Sequence, residues 1–114
     1  MKIEFRKYKG VYIVDVEGDM DLYTARELKD VVTKLIDRGV GKIVINLEGV
    51  DYMDSSGVGA LIHIYTSTKR NSLDLRIVNL HGSVAKVIKL TKLMEYFPIA
   101  EDVNTALRQL EENP

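Results

Sequence analysis

The 114-residue sequence has no cysteine and no tryptophan, and only two prolines and two histidines. Without cysteine there is no disulfide framework, no thiolate metal site and no cysteine nucleophile. Two histidines are too few for a histidine-rich metal cluster. An excess of either charge is also lacking, because 16 Lys and Arg stand against 17 Asp and Glu, for a net charge of -1. Nothing in that balance draws the chain onto nucleic acid. No apolar run approaches the roughly 20 residues needed to span a bilayer. The opening Met1-Lys2-Ile3-Glu4-Phe5-Arg6 alternates apolar and charged residues, so it lacks the apolar centre of a signal peptide. Eight glycines and no biased tract exclude collagen-like and low-complexity architectures.

What is present is a globular composition, 46% hydrophobic and 29% charged. A chain of this length can bury roughly two-thirds of its unfolded surface and needs no staple. One domain over residues 1–114 is expected, soluble and cytoplasmic, with a radius of gyration of about 13 Å.

Two period-2 stretches open the chain. Ile3 and Phe5 point one way and Lys2, Glu4 and Arg6 the other, while Tyr12, Val14 and Val16 share a face. Lys9-Gly10 sits between them where a hairpin turn belongs. Gly18 to Leu22 reads as a polar break. Asp21 or Thr24 can cap the helix that follows, and Thr24-x-x-Glu27 has the form of a capping box. Ala25, Leu28, Val31, Val32, Leu35 and Ile36 recur at helical spacing up to Arg38-Gly39.

Lys42 to Leu47 is β-branched and apolar on both sides, as in a strand buried on both faces. Glu48 to Asp54 reads as a polar loop. Ser55-Ser56-Gly57 then opens a second helix, with Val58, Leu61, Ile62 and Tyr65 as its apolar stripe. A strand within Leu73 to Asn79 follows, then a third helix capped by Ser83 and carrying Val84, Val87, Ile88 and Thr91. Phe97 to Ala100 predicts a short edge strand, and Asp102 or Asn104 caps a last helix through Val103, Ala106, Leu107 and Leu110.

The order is β-β-α-β-α-β-α-β-α. An α/β fold is therefore predicted, with a mixed, mostly parallel sheet opened by an antiparallel hairpin. In such sheets function gathers beyond the carboxyl ends of the strands. Gly18 to Leu22 and Glu48 to Ser56 fall there.

The most informative segment is Val50-Asp51-Tyr52-Met53-Asp54-Ser55-Ser56-Gly57-Val58-Gly59. Two hydroxyls stand at a helix start, where backbone N–H groups are unpaired and the dipole is positive. A serine in that place ordinarily caps the helix. A cap accounts for one serine, assigned here to Ser56, and leaves Ser55 free. Gly57 and Gly59 are poor helix formers, which points to close approach by another element. Asp19, Asp21, Glu48, Asp51 and Asp54 lie in the two converging loops. They are read as solvated loop tips and caps, or as a carboxylate site suited to magnesium.

Other chemistries fit less well. A serine hydrolase would need a base for Ser55, with His63 or His81 as candidates, but the first glycine of a G-x-S-x-G elbow is missing. His63 falls about two turns along the helix, roughly 12 Å by rise, which is beyond the reach of a base. No phosphate-binding G-x-x-x-x-G-K-[ST] loop is present, and Gly57-x-Gly59 is too short for a dinucleotide fingerprint. Tyr23, Tyr52, Tyr65 and Phe97 form no stacking platform and read as core or rim packing.

The stretch Ile45-Asn46-Leu47-Glu48-Gly49-Val50-Asp51-Tyr52-Met53-Asp54-Ser55-Ser56-Gly57-Val58-Gly59 resembles the signature of the STAS domain, in particular of the anti-sigma factor antagonists. Gly18 to Ala25 resembles that family's second motif, and the element order agrees along the whole chain. The resemblance implies a phosphorylation switch and not an enzyme. On that pattern Ser55 is the phosphoacceptor, Asp54 is the acid before it, and Asp21 and Asn46 match positions near it. Asp21, Asn46, Asp54, Ser55, Ser56 and Gly57 would form the partner-binding surface. The implied partners are an anti-sigma factor that is itself a serine kinase, carrying ATP and magnesium, and a serine phosphatase. No cofactor, nucleic acid or membrane is implied for this chain. The same serine loop would also serve a STAS module that scaffolds a larger signalling complex.

Overall fold

The computed structural model describes residues 2–111. Its elements are β1 (Lys2–Tyr8), β2 (Val11–Met20), α1 (Leu22–Asp37), β3 (Lys42–Met53), α2 (Ser55–Arg70), β4 (Asp74–Val78), α3 (Gly82–Leu90), β5 (Ile99–Ala100) and α4 (Val103–Glu111). The sheet order is β1-β2-β3-β4-β5, with β1 antiparallel to β2 and every later pair parallel. The predicted fold class and element order are those observed, and the radius of gyration is 12.8 Å.

Lys9 and Gly10 both take positive φ, at 48° and 82°, as a two-residue turn between right-twisted strands demands. β3 is the central strand. Ile43, Ile45 and Leu47 face the larger core with α1, α2 and α3, while Val44 faces a smaller core with Val78, Ala106 and Leu110 under α4. Burial on both sides explains its unbroken β-branched run.

Several boundaries depart from the sequence reading. Gly18 to Leu22 is not a break, because β2 runs to Met20 and α1 begins at Leu22. Glu48 to Asp54 is not a loop, because β3 continues to Met53 beside β2. Register shifts between Asp15 and Glu17, and between Gly18 and Asp19, insert extra β3 residues and break the period-2 pattern that would have betrayed the strand. The α2 stripe is also rotated. Val58, Leu61, Ile64 and Thr68 are buried, whereas Ile62 is exposed.

The caps differ as well. Asp21, not Thr24, caps α1, and the capping box is Asp21 with Thr24. Ser83 does not cap α3. His81 holds the N-cap position without a side-chain capping bond, and the Ser83 hydroxyl donates to the Asp51 carbonyl at 2.7 Å. Thr91 ends α3 as its exposed C-cap. Asp102 caps α4, accepting the Thr105 amide at 2.8 Å.

Candidate functional site

β2 and β3 end on one rung, Met20 beside Met53. Each strand then turns into a helix through an aspartate of nearly identical backbone geometry. Asp21 has φ -106° and ψ -168°, and Asp54 has φ -100° and ψ -172°. Parallel strands lie about 4.8 Å apart, so the two helix mouths open side by side. The Asp54 amide donates to the Met20 carbonyl at 3.3 Å and locks one mouth to the other.

Asp54 is the cap of α2. Its Oδ1 accepts the Ser56 amide at 2.9 Å and the Gly57 amide at 3.4 Å. The assignment of Ser56 to capping is therefore corrected. The carboxylate before the serines is the stronger acceptor for two amide donors, and it puts Ser55 at the first helical position and Ser56 at the second. Ser55 is exposed, and no hydrogen bond within the described residues holds its hydroxyl. Asp21 caps α1 in the same way, accepting from the Tyr23 and Thr24 amides at 3.0 and 3.1 Å. The Thr24 amide, ahead of the other bonds, holds the Asp21 carboxyl below its ordinary value.

Gly57 shows why a residue with no side chain follows the serines. A Cβ there would stand 2.5 Å from Met53 Cγ and 3.1 Å from Met20 Cγ. The end of the β2–β3 rung thus packs against the first turn of α2. Gly59 does not share this role, because a Cβ there would meet nothing within 4 Å.

The structure brings Asp21, Asp54, Ser55, Ser56 and Gly57 together at the paired mouths. It places Asn46 elsewhere. Asn46 opposes Asp15 on β2, five β2 residues before Met20, which is on the order of 15 Å along the sheet. There its Nδ2 donates to Asp15 Oδ1 at 2.8 Å, and its Oδ1 accepts from Asn79 Nδ2 at 2.8 Å and the Glu48 amide at 3.1 Å. Arg6 grips the same Asp15 carboxylate at 2.7 and 3.0 Å. Asn46 is thus the centre of a polar chain across the sheet, pinning the bulge that begins after it.

The acids that the sequence places in two loops form no cation cage among the described residues. Asp21 and Asp54 spend their carboxylates on caps, and among the described residues no group of three or more His, Asp or Glu is placed to hold a metal ion. His81 Nε2 lies 2.8 Å from the Glu48 carbonyl, and His63 is exposed on α2.

An apolar rim flanks the two mouths and extends beyond the aromatics expected there, to Leu22 and Ile62. Leu22 and Tyr23 open α1 with 56% and 79% exposure, and Tyr52 is 48% exposed just before Asp54. Ser55, Gly59 and Ile62 follow one another at helical spacing on one exposed side of α2. Tyr23 and Tyr52 take the rim placement of the two that the sequence allows, whereas Ile62, expected in the apolar stripe of α2, is exposed. The clue in the sequence is position alone, because Leu22-Tyr23 and Tyr52 directly flank the two capping aspartates.

Known proteins agree with this architecture. A profile of the STAS domain matches residues 2–106. The anti-sigma-B factor antagonist of Staphylococcus aureus is 31% identical over 101 residues, covering 89% of this chain and 94% of the relative. The crystal structure of an anti-sigma factor antagonist from Mycobacterium paratuberculosis superposes with a TM-score of 0.86 at 24% identity, over 96% of this chain and 93% of that one. The Bacillus cell fate determinant SpoIIAA in its phosphorylated form superposes at 0.74 with 17% identity, over 96% and 99%. At these identities the structures speak for the fold. Among the described residues, no helix is long and apolar enough to cross a membrane. With the profile, the sequence relative and the fold in agreement, the chain belongs to the STAS-domain family of anti-sigma factor antagonists.

Proposed function

We propose that this chain is a cytoplasmic anti-sigma factor antagonist, a single STAS domain over its 114 residues, and that phosphorylation of Ser55 switches its binding. The unmodified form docks on a kinase-type anti-sigma factor and frees the sigma factor. The kinase brings its own ATP and magnesium, phosphorylates Ser55 and thereby releases the antagonist, and a serine phosphatase resets it. The chain is a binding module and performs no chemistry itself. The observation that carries this reading is the division of labour at the α2 mouth, where Asp54 caps the helix and leaves the Ser55 hydroxyl exposed. The docking face combines Ser55 with the apolar rim of Leu22, Tyr23, Tyr52 and Ile62.

Physics accounts for the switch. A phosphate adds about -1.5 to -2 charge and strong acceptor oxygens. At the first position of a helix the dipole favours that charge even though Asp54 already takes the Ser56 and Gly57 amides, so the fold persists. Asp21, Asp51 and Asp54 nearby make the surface strongly negative once the phosphate is added. A partner fitted around a neutral hydroxyl must then desolvate a dianion, and a loss of about 3–4 kcal/mol already weakens binding several hundred-fold.

Asp21, Asp54, Ser56 and Gly57 support the docking face through the two caps and the tight first turn. Asn46 acts at a distance, through the bulge that sets the end of β3. Incubation with the cognate anti-sigma kinase and ATP, followed by mass mapping of wild type and Ser55→Ala, tests the assignment. Phosphate is expected on Ser55 of the wild type and absent from the variant. Phosphate retained by Ser55→Ala overturns it.

A further inference from the structure

β1 is an edge strand of seven residues with one side paired to β2 and the other open. Edges of this length invite pairing, and charged side chains usually guard them. Here the charges are arranged to match each other. Lys2, Glu4, Arg6 and Tyr8 share the α4 side of the sheet, and Ile3, Phe5 and Lys7 share the other. Lys2 and Glu4 pair with each other at 2.8 Å but expose 67% and 61% of their side chains, so that pair is weak and Glu4 can face a second cation, and Arg6 exposes 53% although it grips Asp15. Phe5 and Tyr8 are half exposed, at 50% and 49%.

From this pattern we infer that β1 is a dimerisation edge, whose partner is β1 of a second copy, antiparallel about a two-fold axis at Phe5. In that register Glu4 faces Arg6 of the other copy twice over, and Phe5 faces Phe5. Lys2 lies across from Tyr8, within reach of its ring, and Ile3 lies across from the stem of Lys7. The pairs are self-complementary, as a two-fold interface requires. Sliding the strands by two residues keeps every side chain on its own face but opposes Glu4 to Glu4 one way and Arg6 to Arg6 the other. Like charges directly opposed are unfavourable, so the guards of this edge admit one register. The result is a continuous ten-stranded sheet. β1 lies outside β2, whereas α1 packs on β2 and α2 on β3 and β4, and both mouths open beyond the carboxyl ends of β2 and β3, not along the outer edge of β1, so they stay free in the dimer.

The absence of cysteine makes the test direct, because any introduced thiol is unique. Paired antiparallel residues have Cα atoms about 4.5–5.5 Å apart, inside the range a disulfide spans. Phe5→Cys is therefore expected to cross-link to itself rapidly under mild oxidation. Tyr8→Cys, whose copies lie about 20 Å apart in this register, is expected not to. Sedimentation equilibrium of the wild type at low salt is expected to show mass rising with concentration towards twice the monomer. Glu4→Arg and Arg6→Glu are each expected to lose that rise, and their mixture to regain it, with circular dichroism confirming that both fold. A wild type that stays monomeric throughout, or equal cross-linking at positions 5 and 8, overturns the inference.

Discussion

The backbone amide of Asp54 donates to the carbonyl of Met20 at 3.3 Å, joining the strand that leads into α1 to the helix mouth that carries Ser55. That bond sits one residue beyond the last β2–β3 rung. It ties the two helix starts to each other across the end of the sheet, one residue before Ser55.

If Asp54 and not Ser56 caps α2, the two residues respond differently to truncation. Asp54→Ala is expected to lower stability by about 1 kcal/mol, the usual worth of such a cap. Ser56→Ala and Ser55→Ala are expected to lie within about 0.5 kcal/mol of wild type, as for surface positions without special partners. Urea unfolding of the three variants checks this. A Ser56→Ala loss equal to that of Asp54→Ala would return the cap to the serine.

The two glycines of α2 separate in the same way. Gly57→Ala drives a methyl into Met53 and Met20, and overpacking of that kind costs about 1–3 kcal/mol. Gly59→Ala meets open space and gains up to about 1 kcal/mol of helix propensity. Thermal unfolding is expected to move in opposite directions for the two. Anti-sigma factor binding adds a second readout, because a side chain at Gly59 projects from the proposed docking side.

Acid should weaken the fold through identifiable groups. The Thr24 amide holds Asp21 below the ordinary carboxyl value of 3.8, and the Thr105 amide does the same for Asp102. At Asp15 burial opposes the charge, but the hydrogen bonds from Arg6 and Asn46 outweigh it and the shift is again downward. Each group ionises more readily when folded, so the unfolded chain binds more protons around these values. The stabilisation is complete above the ordinary value and is lost as pH falls below it through the folded values. Asp21→Asn keeps a capping oxygen but binds no proton, so its melting temperature is expected to fall less steeply with acid than that of the wild type. Equal slopes would contradict the role given to Asp21.

Much of this was legible in the residues. Alternation in Ile3–Phe5 and Tyr12–Val16, the run Ile43-Val44-Ile45 and the helical spacing from Ala25 to Ile36 fix the elements and their order. The ends of β2 and β3 were not legible, because the bulges after Asn46 and near Asp51 interrupt the two-residue period while parallel pairing continues. Cap ownership was ambiguous for a physical reason. Asp, Ser and Thr all accept a backbone amide, and both Asp21-x-x-Thr24 and Thr24-x-x-Glu27 satisfy the same spacing. Tyr23 and Tyr52 show the limit of composition, because an aromatic beside a strand end can turn into the core or away from it with no change in pattern. The network of Arg6, Asp15, Asn46 and Asn79 joins residues up to 73 positions apart, and no local signal announces it.

The most direct measurement is the affinity of the purified chain for its anti-sigma factor, before and after stoichiometric phosphorylation of Ser55, by titration calorimetry in one buffer. The unmodified chain is predicted to bind at least several hundred-fold more tightly, about 3–4 kcal/mol, with the two forms equally folded. Equal affinity of the two forms would contradict the account.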